Sequence, residues 1–258
     1  NSMLQVFSKT GVSKYGPVPT STLWNNFPGD WAGHNDGDAI VMYDEVADRW
    51  IISQFAVDCG TYPKYTEFEL VAVSQTSDPL GAYYRYAFQF DHMPDYPKMG
   101  IWRDGYYLSV NRFNTNNSSS PFIGAAMCVL ERDKMLAGDP TARMIYIKTE
   151  TLGGSGSSLG SDCSSMLPGD CDGTFAPAGT PNYFTYINDD SWGGNDELRI
   201  WSLKPDWNAN TAACNFVTAL PVAAYATYSS YAISQKGVSL KLDDLSDRLM
   251  HRLQYRNM

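Results

Sequence analysis

The sequence predicts an all-β protein, and more specifically a β-propeller of about five or more blades. Three observations support this fold class. No window of about 12 residues keeps a 3.6-residue apolar period, so a helical layer is not expected. Short runs rich in β-branched and aromatic residues recur between Gly, Pro, Asn and Asp. A polar lead-in followed by a strand also recurs, in segments 38–55, 95–111, 178–190 and 240–256.

The first half of the chain predicts successive antiparallel hairpins. In GDAIVMYDEVADRWIISQF, residues 37–55, a polar turn separates two apolar runs. Residues 69–90 continue as strand, turn and strand, with SDPLG as the turn. KMGIWRDGYYLSV, residues 98–110, is the clearest hairpin, because Asp104-Gly105 favours a tight primed turn.

The second half predicts further short strands in one continuous domain, residues 1–258. The candidate strands are AAMCVLERDKML, ARMIYIKTE, PNYFTYIND, ELRIWSLK and DRLMHRLQYRN. Within the first of these, a single helical turn is expected around Arg132–Leu136. No loop is long enough, or different enough in composition, to serve as a linker between two domains.

The spacing of the recurring segments predicts where a ligand would bind. Their starts lie about 55 to 85 residues apart, near the length of a propeller blade with insertions. In a propeller the polar residues before each innermost strand face a shared central opening. We therefore predict that Asp38, Asp95 and Asp247 meet at one mouth. The further ligand-binding candidates at this opening are Lys98, Asn182 and Trp31. A β-sandwich is the competing architecture.

Composition excludes some classes of partner. The formal net charge of -9 argues against nucleic acids and anionic membranes, which need clustered Lys and Arg. No apolar run approaches 18 residues, so no membrane-spanning segment is expected. No charged and apolar leader opens the chain, which is compatible with a processed or trimmed mature protein.

Four segments carry a family resemblance: GDAIVMYDEVADRWIISQFA, VAVSQTSDPLGAYYRYAF, DYPKMGIWRDGYYLSVN and LDDLSDRLMHRLQYRN. They resemble the hallmark segments of a family of uncharacterised, β-propeller-like secreted bacterial proteins, often attached to adhesion-type or sorting domains. The resemblance covers most of the chain and implies a secreted or cell-surface location, but it brings no catalytic residues. The family pattern continues beyond the counterpart of RLQYRN, which implies an incomplete chain that lacks part of a closing blade. DYP with DGYYL is also loosely similar to five-bladed glycosidases.

The sequence suggests two candidate calcium sites and one candidate disulfide. HNDGD, residues 34–38, offers Asp36 and Asp38 as oxygen ligands for Ca²⁺, and GDCDG, residues 169–173, is similar. Ca²⁺ is the only cofactor suggested, and acidic glycine-rich loops without metal are common. Cys163 and Cys171 flank a short polar loop and could form a disulfide in an oxidising compartment; otherwise they are small core residues.

Three functions compete. The leading hypothesis is a secreted or surface-displayed, non-catalytic module that binds an extracellular glycan or protein. The second is a polysaccharide-degrading enzyme with carboxylates at the tunnel mouth; against it, no Glu lies at a comparable strand start to act as the acid. The third is a structural subunit of an extracellular assembly, which would involve self-association.

Overall fold

The computed structural model describes residues 2–61, 64–115, 121–152, 163–227, 233–242, 245–251 and 253–256. Strands hold 53% of the residues and helices 7%, so the all-β prediction is confirmed. Three four-stranded antiparallel sheets, named A, B and C, form the body of the protein.

Sheet A follows an N-terminal hairpin. The hairpin consists of β1 (Met3–Phe7) and β2 (Ser13–Pro19) and leads into a 3-10 turn, Thr20–Trp24. Sheet A contains β3 (Gly37–Asp44), β4 (Arg49–Thr61), β5 (Lys64–Ser74) and β6 (Tyr83–Phe90), in that spatial order. The two hairpins predicted in this region are therefore confirmed.

Sheet B is also a meander of consecutive strands. It contains β7 (Met93–Trp102), β8 (Gly105–Phe113), β9 (Phe122–Leu130) and β10 (Met144–Lys148). The predicted helical turn is α1 (Arg132–Ala137), between β9 and β10. The β7–β8 hairpin is confirmed, but its turn is different. Arg103 and Asp104 form it, since Trp102 pairs with Gly105, and neither turn residue has the positive φ of a primed turn.

Sheet C follows a 3-10 turn, Thr149–Thr151. The next strands are β11 (Leu167–Pro168), β12 (Asp170–Cys171) and β13 (Asn182–Asn188), and a 3-10 turn, Asp190–Trp192, leads to β14 (Glu197–Asp206) and β15 (Thr211–Pro221). The spatial order is β11-β13-β14-β15. The prediction that segment 178–190 supplies the innermost strand is therefore wrong, because the two-residue β11, and not β13, is the edge strand that contacts β7.

The C-terminal part departs from the prediction more strongly. Its described strands are β16 (Ile233–Ser234), β17 (Lys241–Leu242) and β18 (Gln254–Tyr255), each only two residues long. β16 pairs with β17, whereas β18 lies parallel to β12. In the described residues, segment 240–256 therefore joins existing structure and does not start another four-stranded sheet.

Sheet B lies between sheets A and C. Successive side chains of a strand point to opposite faces, and neighbouring tyrosines of β8 show this directly. The Tyr106 hydroxyl donates to Asp44 of sheet A at 3.0 Å, whereas the Tyr107 ring packs edge-on against Phe184 of sheet C. One continuous apolar cluster includes buried residues from all three sheets.

Buried hydrogen bonds connect sheet B to each of its two neighbours. Between A and B, the buried Arg132 guanidinium donates to both oxygens of Asp44, at 2.7 and 3.1 Å. Between B and C, the backbone N–H of Ile101 donates to Asp170 at 2.8 Å. Beside that bond, a Cβ at Gly100 would lie 2.3 Å from the carbonyl oxygen of Gly169, so only glycine fits there.

Candidate functional site

The first strands of the three sheets meet along one side of the molecule. β3 contacts β7, and β7 contacts β11 and β12. Near the start of each of these strands lies a non-glycine residue with positive φ: Asp38 at 48°, Tyr96 at 52° and Ser165 at 48°. The pairing of β3 and of β7 is also interrupted at these points. Positive φ at non-glycine residues and interrupted strand pairing cost free energy, and both are often found at functional sites.

Charged side chains gather at this irregular backbone. The backbone of Tyr96 lies close enough to Asp38 to favour its ionised form, which brings β3 and β7 together at this point. Partial burial and then the charge of Asp95 raise the pKa of Asp38 above its ordinary value, while Lys98 opposes this. Asp38, Asp95 and Lys98, three of the predicted site residues, therefore lie within electrostatic reach of one another. We call this set the strand-start cluster.

Lys98 is the central cation of the strand-start cluster. Its Nζ atom lies 3.8 Å from the centre of the Tyr96 ring and donates to the carbonyl of Pro97 at 3.2 Å. Burial lowers its pKa, against the attraction of Asp38 and Asp95. The ion pairs found between described residues include neither Lys98 nor Asp95. Lys98 therefore keeps hydrogen-bond donors that its described neighbours do not use.

The C-terminal segment covers one edge of the cluster. The Arg248 guanidinium lies 4.9 Å from the Tyr96 ring centre, and the Tyr96 hydroxyl donates to Leu249 O at 3.2 Å. Arg248 is paired with Asp247 at 2.9 Å. The charge of Asp247 also influences the pKa of Tyr96, so Asp247 lies on the rim even though it does not precede an innermost strand.

A buried carboxyl group, Glu69 of β5, lies beneath the cluster. It is 0% exposed, and none of the hydrogen bonds between described residues reaches its two oxygens. Burial raises its pKa to about 8; the nearby Ser53 lowers it only partly, and Asp38 and Lys98 also act on it. Sequence reasoning missed Glu69 because it alternates with apolar residues in β5, as a solvent-facing residue would. In the structure Glu69 instead lies on the face of β5 that points toward sheet B, where it is buried.

Two predicted ligand-binding residues lie outside the strand-start cluster. The Trp31 ring packs against Phe27 and Phe68, with ring centres 5.1 and 4.9 Å apart. Asn182 is fully buried, where its side chain donates to the carbonyl of Gly169 at 2.7 Å and accepts from the same residue's N–H at 3.1 Å. Trp31 is thus a packing residue, and Asn182 supports the backbone that leads into β12.

The suggested calcium ligands face different surroundings. Asp36 contacts the His34 ring at 2.8 Å and accepts from Val57 N at 2.9 Å, whereas Asp38 faces β7. In GDCDG, Asp170 accepts from a sheet B amide, as described above. A different trio, Asp189, Asp190 and Asp196, has oxygens within 4.8 Å of one another. Asp189 accepts backbone N–H groups of Ser191 and Thr227, and Asp196 accepts those of Asp190 and Tyr225, which accounts for the arrangement without an ion.

The suggested Cys163–Cys171 disulfide is not formed in the structure. Cys171 Sγ donates to Thr174 O at 3.3 Å. Cys163 instead influences the pKa values of Tyr186 and Cys214, so it lies toward sheet C. The two residues are both buried, as in the competing interpretation that they are core residues.

Comparison with known proteins adds no family. No protein-family model, curated protein or solved structure matches the chain. Among the described residues, no helix has the length and hydropathy needed to cross a bilayer.

Proposed function

We propose that sheets A, B and C are successive blades of a β-propeller and that the strand-start cluster binds an extracellular glycan without chemical conversion. The blade proposal is supported by four-stranded antiparallel sheets whose first strands adjoin on one side. In this arrangement the cluster lies where the central opening of a propeller would be. The secreted or cell-surface location rests on the family resemblance.

The state of Lys98 is the observation that carries the ligand proposal. A half-buried ammonium beside two carboxylates, with no ion pair to a described residue, has donors left for a ligand. Asp95 supplies acceptor oxygens next to it. Sugar hydroxyls both donate and accept, so they match a site that presents both kinds of group within a short distance.

Binding is tested on a panel of plant, algal and bacterial oligosaccharides by calorimetry. We expect the protein to bind one class of glycan, and Lys98→Met to weaken that binding about 10- to 100-fold, the range for hydrogen bonds to charged groups. Asp95→Asn should weaken it similarly while the fold is kept. Lys236→Met and Asp133→Asn, both on exposed side chains, are matched controls that should bind normally. No binding to any member of the panel would refute the proposal.

A second function, glycoside hydrolysis, is favoured by one observation. The protonated form of Glu69 persists to about pH 8, and a carboxylic acid with a raised pKa beside ionised carboxylates is the usual pairing in such enzymes. Glu69 is fully buried, however, so it has no direct access to a sugar in this structure. Release of reducing sugar by the wild type, lost in Glu69→Gln while binding is retained, would replace the binding proposal with this one.

A further inference from the structure

The three sheets repeat one register near the start of their first strands. Two residues after each of the three positive-φ residues, the first strand pairs with a hydroxyl residue of the second strand. The three pairs are Ile40 with Ser53, Lys98 with Ser109, and Leu167 with Thr185. Because the register is the same, a hydrogen bond made at one of these positions indicates what the equivalent side chain of another sheet can bond.

The position in sheet B is fully bonded to the neighbouring sheet. The Ser109 hydroxyl donates to the carbonyl of Met166, the residue directly after the positive-φ Ser165. Two residues along β8, Asn111 accepts from the backbone N–H of Ser165 at 2.7 Å and donates to its hydroxyl at 3.2 Å. Thr185 offers no such comparison, because no four-stranded sheet follows sheet C in the described part of the chain. A second-strand hydroxyl thus holds a first-strand carbonyl between sheets B and C.

The equivalent hydroxyl of sheet A makes no such bond. Ser53 is 0% exposed, and its Oγ atom has no hydrogen-bond partner among the described residues. It lies on the face of β4 that points toward sheet B, where β4 contacts β7. By register, the carbonyl that it would hold is that of Pro97, directly after the positive-φ Tyr96. That carbonyl accepts from Lys98 Nζ at 3.2 Å instead.

The carbonyl of Pro97 therefore has two candidate donors, Lys98 and Ser53. Pro97 is buried, and a buried carbonyl without a donor costs free energy, as does a buried hydroxyl without an acceptor. With Lys98 on Pro97, only the cost of the unbonded Ser53 hydroxyl remains. With Ser53 on Pro97, both costs are removed, but the half-buried ammonium of Lys98 then needs another acceptor. A ligand oxygen at the strand-start cluster would supply it.

We propose that Ser53 is a positioning residue of the strand-start cluster, whose hydroxyl takes over the carbonyl of Pro97 when Lys98 turns to a ligand. The role of the ligand rests on the proposed function, whereas the exchange of donors can be tested without one. The exchange gives the Ser53 hydroxyl an acceptor that it lacks in the free protein, and this offsets the loss of the Lys98 bond to Pro97. Ser53 acts through Lys98 and does not touch the ligand.

Chemical unfolding without ligand tests the exchange in two backgrounds, at pH 6, where Glu69 is protonated in every folded variant. Ser53→Ala alone should leave the unfolding equilibrium nearly unchanged, because the hydroxyl makes no bond there. In the Lys98→Met background Ser53 is the donor to Pro97, so adding Ser53→Ala should raise the equilibrium constant for unfolding about tenfold. Ser109→Ala is the matched control and should raise it similarly in both backgrounds, since its bond to Met166 does not involve Lys98.

Glycan affinity tests the role in binding. Ser53→Ala should weaken the binding seen with the wild type about tenfold, and it should add nothing to the loss caused by Lys98→Met. Ser53→Thr keeps the hydroxyl, in the residue type that sheet C has at this register, and should bind normally, as should Ser109→Ala.

An effect of Ser53→Ala on unfolding that is the same in both backgrounds would overturn the proposal. Unchanged glycan affinity in Ser53→Ala would overturn it as well. A wild type that binds no glycan would refute the proposed function alone, and the unfolding comparison would still decide whether Ser53 replaces Lys98 on Pro97.

Discussion

The buried carboxyl group of Glu69 makes the stability of the protein depend on pH in a way that one substitution removes. In the folded protein its pKa is about 8, whereas the ordinary value is 4.5. Between these values the folded state keeps a proton that the unfolded chain releases. Stability is therefore fully present below about pH 4.5 and falls as the pH rises to about 8, where the loss is complete.

The size of this loss follows from the pKa difference. Each pKa unit corresponds to about 1.4 kcal/mol, so the wild type loses about 5 kcal/mol between these two pH values through Glu69 alone. Glu69→Gln removes the titrating group and keeps nearly the same shape. The free energy of unfolding of Glu69→Gln minus that of the wild type should therefore rise with pH by about 1.4 kcal/mol per unit and level off above about pH 8.

Guanidinium unfolding followed by tryptophan fluorescence measures this difference between about pH 5 and 9. Other titrating groups change both proteins alike and cancel in the comparison. Glu131→Gln is the control of opposite sign, because hydrogen bonds from Arg143 lower the pKa of Glu131, and its difference from the wild type should stay constant over this range. A Glu69→Gln difference that is also constant with pH would show that Glu69 is ionised in the folded protein and would refute the reasoning.

Three further outcomes are expected. Arg132→Met should destabilise the protein by about 3–5 kcal/mol, because it leaves the buried carboxylate of Asp44 unpaired, and Arg132→Met with Asp44→Leu should recover much of that loss in chemical unfolding. Gly100→Ala should lower the melting temperature, since the new methyl group would meet backbone of Gly169 that cannot move aside; Gly81→Ala, where φ is not positive and the nearest atom to an added Cβ is 3.3 Å away, should lower it less. Thiol labelling in native protein should be slow at the four buried cysteines and complete only after unfolding, as read by mass spectrometry: Cys59, Cys128, Cys163 and Cys171. Rapid native labelling of these four would contradict their burial.

The strands that could be predicted are those with strong side-chain patterns. β3 to β9 follow from alternating apolar, β-branched and aromatic residues, and the single turn of α1 was also expected. β15 was missed because its sequence, TAACNFVTALP, is rich in Ala, Thr and Asn. β11 was missed because it has only two residues, one of them proline, which is too short to show an alternating pattern of apolar and polar side chains. Its place at the edge of sheet C, between β13 and sheet B, depends on tertiary contacts.

The candidate site was predictable in part for the same physical reason. Asp38, Asp95 and Lys98 were found because a polar residue at a strand start is visible in a sequence. Glu69 was not, since an acidic residue in the middle of a strand predicts a solvent-exposed face. Only the stacking of sheet B on sheet A shows that this face is buried. Trp31 was predicted at the opening, whereas its ring packs against Phe27 and Phe68, because an aromatic residue in a glycine-rich loop can pack inward as easily as outward.

The consecutive order of strands within each sheet also bears on how the protein folds during synthesis. Sheets A and B each form from one continuous stretch of chain, so their pairings close short loops and can form while later residues are still being added. The parallel pair of β12 and β18 is different, since it joins Asp170 to Gln254 and must close a long loop. We therefore expect sheet A to form first and the β12–β18 pair last. Residues 247–249, which lie beside the strand-start cluster, would then complete the site only after the segment up to β18 has left the ribosome.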